Sequence, residues 1–112
     1  LGGRWDMTLG NILLLAHPDF RDLRISLVDG PQEVLLLSEG IPWEVRGQPG
    51  DTVSLIPLRG DAEGVTTRGL RYPLSEGRLR FGAARGVSNV LLENPAQVFI
   101  RKGLLVCIII HQ

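Results

Sequence analysis

Thr52-Val53-Ser54-Leu55-Ile56-Pro57, preceded by Gly50-Asp51 and followed by Leu58-Arg59-Gly60, reads as a short strand set between turn residues. The same arrangement recurs through the second half of the chain. After Gly40, short strands are expected at Trp43 to Arg46, Thr52 to Pro57, Gly64 to Tyr72, Arg78 to Phe81, Val98 to Arg101 and Leu104 to Ile110. The 14 glycines and 7 prolines fall mainly between these runs, where chain reversal needs them. That succession predicts a mainly β fold, a jelly-roll-like β-sandwich at the C-terminal end.

Upstream the period changes. Apolar residues at Trp5, Leu9, Ile12, Leu13 and Ala16 follow the spacing of one helical face, and Gly2-Gly3 and Pro18 bracket a helix from near Arg4 to near His17. Leu23 to Val28 and Glu33 to Leu37 read as strands joined by Asp29-Gly30-Pro31-Gln32, the makings of a hairpin. A boundary at Glu39-Gly40-Ile41-Pro42 divides residues 1–40, helix and strand pair, from residues 41–112, the sandwich. The first part is too small for a core of its own. Because the chain opens at Leu1, directly on Gly2-Gly3, it is expected to be a fragment of a longer protein.

Composition narrows the function classes. With 112 residues, 44% hydrophobic and 21% charged, the chain is of ordinary globular make-up. Twelve Lys and Arg balance twelve Asp and Glu, so no overall charge draws it to nucleic acid or an anionic membrane. No apolar run approaches the ~20 residues of a membrane-spanning helix, so neither a nucleic acid nor a membrane is expected as partner. The single cysteine, Cys107, lies in the run Leu104 to Ile110 and should behave as a small buried hydrophobe, compatible with a cytoplasmic location. Cys107, His17 and His111 lack the spacing of a zinc site, and no catalytic weight falls on them.

Chemistry has four candidate locations. Thr66 to Arg85 gathers Arg68, Arg71, Arg78, Arg80 and Arg85 against the one acid Glu76, which suits a phosphate-bearing ligand or equally the solvent-facing alternates of strands. Tyr72, before Pro73, could offer its face to a heterocycle or a cation, or could be structural. Ser88-Asn89 carries a hydroxyl and an amide able to read a ring edge, or to hold a turn. Gly2-Gly3-Arg4-Trp5-Asp6 places an Arg and an Asp at a helix start, where Arg can clamp phosphate and Asp can hold Mg2+. Asp6 could instead simply complement the helix dipole.

In order along the chain, these pieces resemble one family. Gly2-Gly3-Arg4-Trp5-Asp6-Met7-Thr8-Leu9-Gly10-Asn11 resembles the Gly-Gly-Arg-x-Asp-His-x-x-x-Asn signature ending the catalytic half of thiamine pyrophosphokinases. Gly50 to Leu58, Gly64 to Leu74, Leu79-Arg80-Phe81-Gly82, Gly86-Val87-Ser88-Asn89 and Gly103 to Val106 follow that family's C-terminal domain. Met7 stands where the family usually has His, and Val90 where an acidic residue is common.

The resemblance implies a homodimeric, Mg2+-dependent enzyme that transfers diphosphate from the co-substrate ATP to thiamine, giving thiamine diphosphate and AMP. It implies that residues 1–40 end an α/β ATP-binding catalytic domain and that residues 41–112 form the thiamine-binding and dimerisation sandwich. The thiamine pocket would lie between the sandwich of one subunit and the catalytic domain of the other. Tyr72 would stack on thiamine while Thr67, Ser88 and Asn89 line its pocket. Arg4 and Asp6 would face nucleotide and metal-bound phosphate, as catalytic residues with Asp6 as metal ligand, and Asn11 would support the nucleotide edge. The remaining acidic ligands of the family lie outside this sequence, so the chain alone is expected to be inactive.

Two other readings compete: a thiamine-binding sensor without chemistry, and a pure dimerisation module. The segment from Gly2 to Asn11 favours the enzyme, since a sensor has no need of a phosphate-and-metal corner. The apolar run Leu104 to Ile110 is expected to need a cover, which a dimer would supply if that run formed an unpaired edge.

Overall fold

The computed structural model describes residues 5–20 and 23–112. A helix α1 (Trp5–Leu15) and a short 3-10 turn (Pro18–Phe20) precede nine strands. These are β1 (Ser26–Asp29), β2 (Gln32–Ser38), β3 (Trp43–Val45), β4 (Thr52–Pro57), β5 (Ala62–Arg68), β6 (Gly77–Leu79), β7 (Asn89–Val90), β8 (Ala96–Lys102) and β9 (Leu104–Ile110). They form two antiparallel sheets, ordered β1-β2-β9-β4-β7 and β3-β8-β5-β6.

Alternation along the strands builds the core between the sheets. Leu35 and Leu37 of β2, Val53 and Leu55 of β4, and Leu105, Cys107 and Ile109 of β9 face inward from the five-stranded sheet. Val45, Val65, Val98 and Ile100 meet them from the other sheet. Each such burial is worth about 1.5–3 kcal/mol against leaving the side chain in water. Among these groups the Cys107 thiol is pushed up to about 12 by desolvation.

The intervening residues of β2 and β9 are apolar too, because that outer face is also covered. Val34, Leu36 and Val106 are buried there against Leu15, with Ile12, Ala16 and Ile108 packed alongside. Burial on both faces accounts for the uninterrupted apolar run of β9.

Several expectations change. β9 lies between β2 and β4, not at an edge, so its hydrophobicity gives no argument for a dimer. Glu39 to Pro42 carries the chain from one sheet to the other, and β2 is integral to the five-stranded sheet. The inward face of α1 is Ile12 and Leu15, continued by Ala16 just beyond its end, whereas Leu9 and Leu13 are more than half exposed, 56% and 51%. The segment Asn89–Val90 forms β7, too short to show any period. The described residues contain no helix long and apolar enough to cross a membrane.

Candidate functional site

The loop between β5 and β6 is tied down residue by residue. At its base Thr67 N donates to the Leu74 carbonyl at 2.9 Å, and Leu74 N donates back to Thr67 Oγ1 at 2.9 Å. Gly69 then turns the chain with φ +85°, and a Cβ there would meet Ala96 Cα at 3.2 Å. Leu70 forms a bridge with Leu91, which joins one end of the four-stranded sheet to the segment following β7. Arg71 N donates to the Val90 carbonyl at 2.9 Å.

Tyr72 is held next. Its N–H donates to Asn89 Oδ1 at 3.0 Å, and Asn89 Nδ2 donates to its carbonyl at 2.8 Å. Asn89 Oδ1 also accepts from Val90 N at 2.9 Å. Asn89 is buried and its backbone pairs with Val53 of β4, so the clamp is anchored in the five-stranded sheet. Tyr72 as a residue is left 64% exposed. Ser88 precedes the clamp with φ +62° and donates from its N–H to Ser54 Oγ at 2.9 Å. Tyr72, Ser88 and Asn89 therefore share one corner of the sandwich. Thr67 stands at the base of the same loop, its hydroxyl accepting from the backbone.

Two of the five arginines are engaged within the chain. Arg78 pairs with Glu63 at 2.9 Å, and Arg85 Nη1 donates to the Arg78 carbonyl at 3.3 Å. Glu76, the one acid in their stretch, lies 3.6 Å from Arg101.

The other predicted corner lies on α1. Arg4 is outside the described residues. Asp6 is exposed in the first turn, where a carboxylate complements the helix dipole. Asn11 lines a cavity of about 240 Å³ between α1 and the β1–β2 hairpin, with Thr8, Asp29 and Gln32 as further polar groups. Helix α1 packs on β2, and Tyr72 sits beside β7, three strand positions away in the sheet. At a strand spacing of about 4.8 Å, β2 and β7 are offset by roughly 14 Å across the sheet. A larger open groove, about 520 Å³, lies over Trp43 between Arg24, Glu44, Arg46 and Gln97, and contains none of the predicted residues.

Sequence reading missed a cluster at the chain's end, where His111 sits between Asp51 and Glu33. The apolar Leu91 opposite Leu70 was likewise not singled out.

Fold and corner together define a class: a two-sheet antiparallel β domain with an exposed aromatic residue clamped by its backbone where the sheets meet. Within that class, residues 40–105 match the family described as thiamin pyrophosphokinase, vitamin B1 binding domain. The chain belongs to the thiamin pyrophosphokinase family. It is similar to the thiamine pyrophosphokinase of Bacillus subtilis, 29% identical over 107 residues, covering 96% of this chain and 50% of the relative. It is also similar to thiamine pyrophosphokinase 1 of Oryza sativa subsp. japonica, 31% identical over 101 residues, covering 88% of this chain and 38% of that one. The crystal structure of the Bacillus subtilis protein superposes over 100% of this chain and 53% of its own, with a TM-score of 0.87 at 27% identity. The chain thus spans half, or less, of the length of these curated relatives.

Proposed function

We propose that this chain supplies the thiamine-binding and dimer-forming surface of a thiamine pyrophosphokinase. The observation that carries the reading is the two-way hold of Asn89 on the Tyr72 backbone, which fixes an exposed aromatic ring at the corner of a vitamin B1 binding domain. Thiamine is a cation with two flat rings, and an aromatic face attracts both features. Tyr72 would stack on it. Ser88 would bound the pocket, while Thr67 and Asn89 keep the loop in place.

The whole enzyme would transfer diphosphate from ATP to thiamine, releasing AMP, in the cytoplasm. Residues 1–40 would carry the end of its catalytic domain, their β1–β2 hairpin completing the five-stranded sheet of the thiamine-binding part, residues 41–112. Within one chain α1 packs on β2 while Tyr72 lies beside β7, three strand positions across the sheet, which favours a homodimer pairing one subunit's Tyr72 corner with the other's catalytic half. Arg4 and Asp6 would then act on nucleotide and phosphate, with Asn11 beside them.

The described residues hold no cluster of three or more His, Cys, Asp or Glu suited to a metal. Mg2+ is commonly held by one or two carboxylates together with phosphate oxygens, so Asp6 fits as one contributor among others. When bound, the ion would neutralise charge on the transferring group. This chain alone would bind and position without turnover.

Isothermal titration of thiamine and thiamine diphosphate into the chain, with light scattering in parallel, tests the reading. Binding that is weakened in Tyr72→Ala supports it. Binding unchanged by that substitution removes Tyr72 from the site and the reading with it.

A further inference from the structure

At the end of β9 the His111 ring lies between two carboxylates from distant parts of the chain. Nδ1 is 2.9 Å from Asp51 Oδ2, and Nε2 is 3.2 Å from Glu33 Oε1. Backbone bonds fix the arrangement: His111 N donates to the Pro31 carbonyl at 2.7 Å, and Gln112 N donates to Asp51 Oδ1 at 3.0 Å. The Asp51 side chain is only 3% exposed and also accepts from Gln48 N at 2.9 Å. Gly47 leaves room for the cluster, since a Cβ there would meet Asp51 Oδ2 at 2.6 Å and His111 Cε1 at 3.4 Å.

A neutral imidazole has one N–H. With a carboxylate oxygen at each ring nitrogen, the neutral ring satisfies one contact and turns a lone pair toward the other carboxylate. Only the imidazolium donates to both. We infer that His111 is a proton-operated clasp, which ties the end of β9 to β2 through Glu33 and to the turn ahead of β4 through Asp51. Loss of its proton releases Glu33 and loosens the His111 end of β9, beyond the last paired residue Ile110, while the β2–β9 ladder stays paired.

Geometry decides which contact goes. Asp51 makes the shorter bond and is pinned by two backbone donors, whereas the Glu33 side chain is 21% exposed and can turn to water. Among the described residues, the charged groups acting on the ring are Asp51 from the turn ahead of β4 and Glu33 from β2. The β1–β2 turn brings only the Pro31 carbonyl, and the loop after β3 brings Gly47. Hydrogen bonding to Asp51 first, then to Glu33, holds the imidazole above its ordinary value against a smaller desolvation penalty. The clasp therefore contributes fully below the ordinary imidazole midpoint and is lost as pH rises through the raised one.

The test is an NMR titration following both ring nitrogens of His111, with amide exchange of His111, in the wild-type chain and in Glu33→Gln. Both nitrogens should stay protonated past the midpoint of free histidine. Nε2 should then lose its proton first, with faster exchange of the His111 amide. Glu33→Gln should move the midpoint downward and remove the change in exchange. A wild-type midpoint at or below that of free histidine overturns the clasp even if the variant does not fold. Deprotonation at Nδ1, or a midpoint that Glu33→Gln leaves in place, does so as well.

Discussion

The side chain of Asn89 takes the place of a neighbouring strand for Tyr72, accepting from its N–H at 3.0 Å and donating to its carbonyl at 2.8 Å. A residue at a loop corner thus gains the hydrogen bonding of a sheet while its ring remains outside.

Removing that clamp should cost both stability and affinity. In Asn89→Ala, the N–H and carbonyl of Tyr72 lose their partners at a part-buried site, and each such hydrogen bond contributes about 0.5–1.5 kcal/mol. Thiamine affinity should fall with the stability, because the ring loses its fixed position. Asn89→Asp should not rescue either property, since a carboxylate oxygen would oppose the Tyr72 carbonyl where Nδ2 now donates. Thermal denaturation and calorimetric titration of the two variants measure this.

Tyr72→Ala should separate binding from folding. Tyr72 is an exposed residue, so loss of its ring should leave the melting temperature close to wild type. Affinity for thiamine should fall by about 1–2 kcal/mol, roughly 5- to 30-fold, the size of a stacking or cation–π contribution. Tyr72→Trp should restore it.

Strand positions were legible from sequence where turn residues bracket apolar runs, as at Thr52 to Pro57, which is β4 residue for residue. β7 was not, because two residues carry no period. The buried face of α1 was misread for a different reason. Leu9 and Leu13 are as apolar as Ile12 and Leu15, and spacing alone cannot say which side meets β2. Tyr72 and Asn89 could be singled out separately, but their bond joins a side chain to a backbone 17 residues away. The His111 cluster spans 60 and 78 residues, beyond the reach of any local pattern.

The helix offers a paired test of that packing. Leu15 is 9% exposed against Val34, Leu36 and Val106, and Leu15→Ala should destabilise the chain by about 2–3 kcal/mol. Leu13→Ala, at a position 51% exposed, should stay within about 0.5 kcal/mol of wild type. Chemical denaturation of the two single variants distinguishes the faces, and equal losses would mean that α1 is rotated.

Acid should act through Asp51. Backbone hydrogen bonds from Gln48 and Gln112, followed by the bond to His111, hold its carboxyl below its ordinary value of 3.8. A depressed carboxylate contributes stability that is present above the unfolded value and lost as pH falls through the folded one. His111 stays protonated across that interval, so the acid limb reports Asp51 and not the ring. The melting temperature of wild type should fall through this range, whereas Asp51→Asn should begin lower and show a shallower acid limb. Parallel limbs would assign the acid loss to other carboxylates.

Asp6 and Tyr72 are assigned to different steps, and their separate places, on α1 and beside β7, make the assignment testable in a whole enzyme carrying these residues. Asp6→Asn keeps the size of the side chain and much of its capacity to accept backbone hydrogen bonds, but removes the charge that Mg2+ and its phosphates require. Turnover should therefore collapse while thiamine affinity, measured without nucleotide, stays at the wild-type value. Tyr72→Ala should do the reverse, raising the KM for thiamine with a smaller effect on turnover at saturating thiamine, because its stacking contributes to binding ahead of transfer. If Asp6→Asn turned over normally, its carboxylate would serve only the dipole of α1, and the metal would have to be held by other residues.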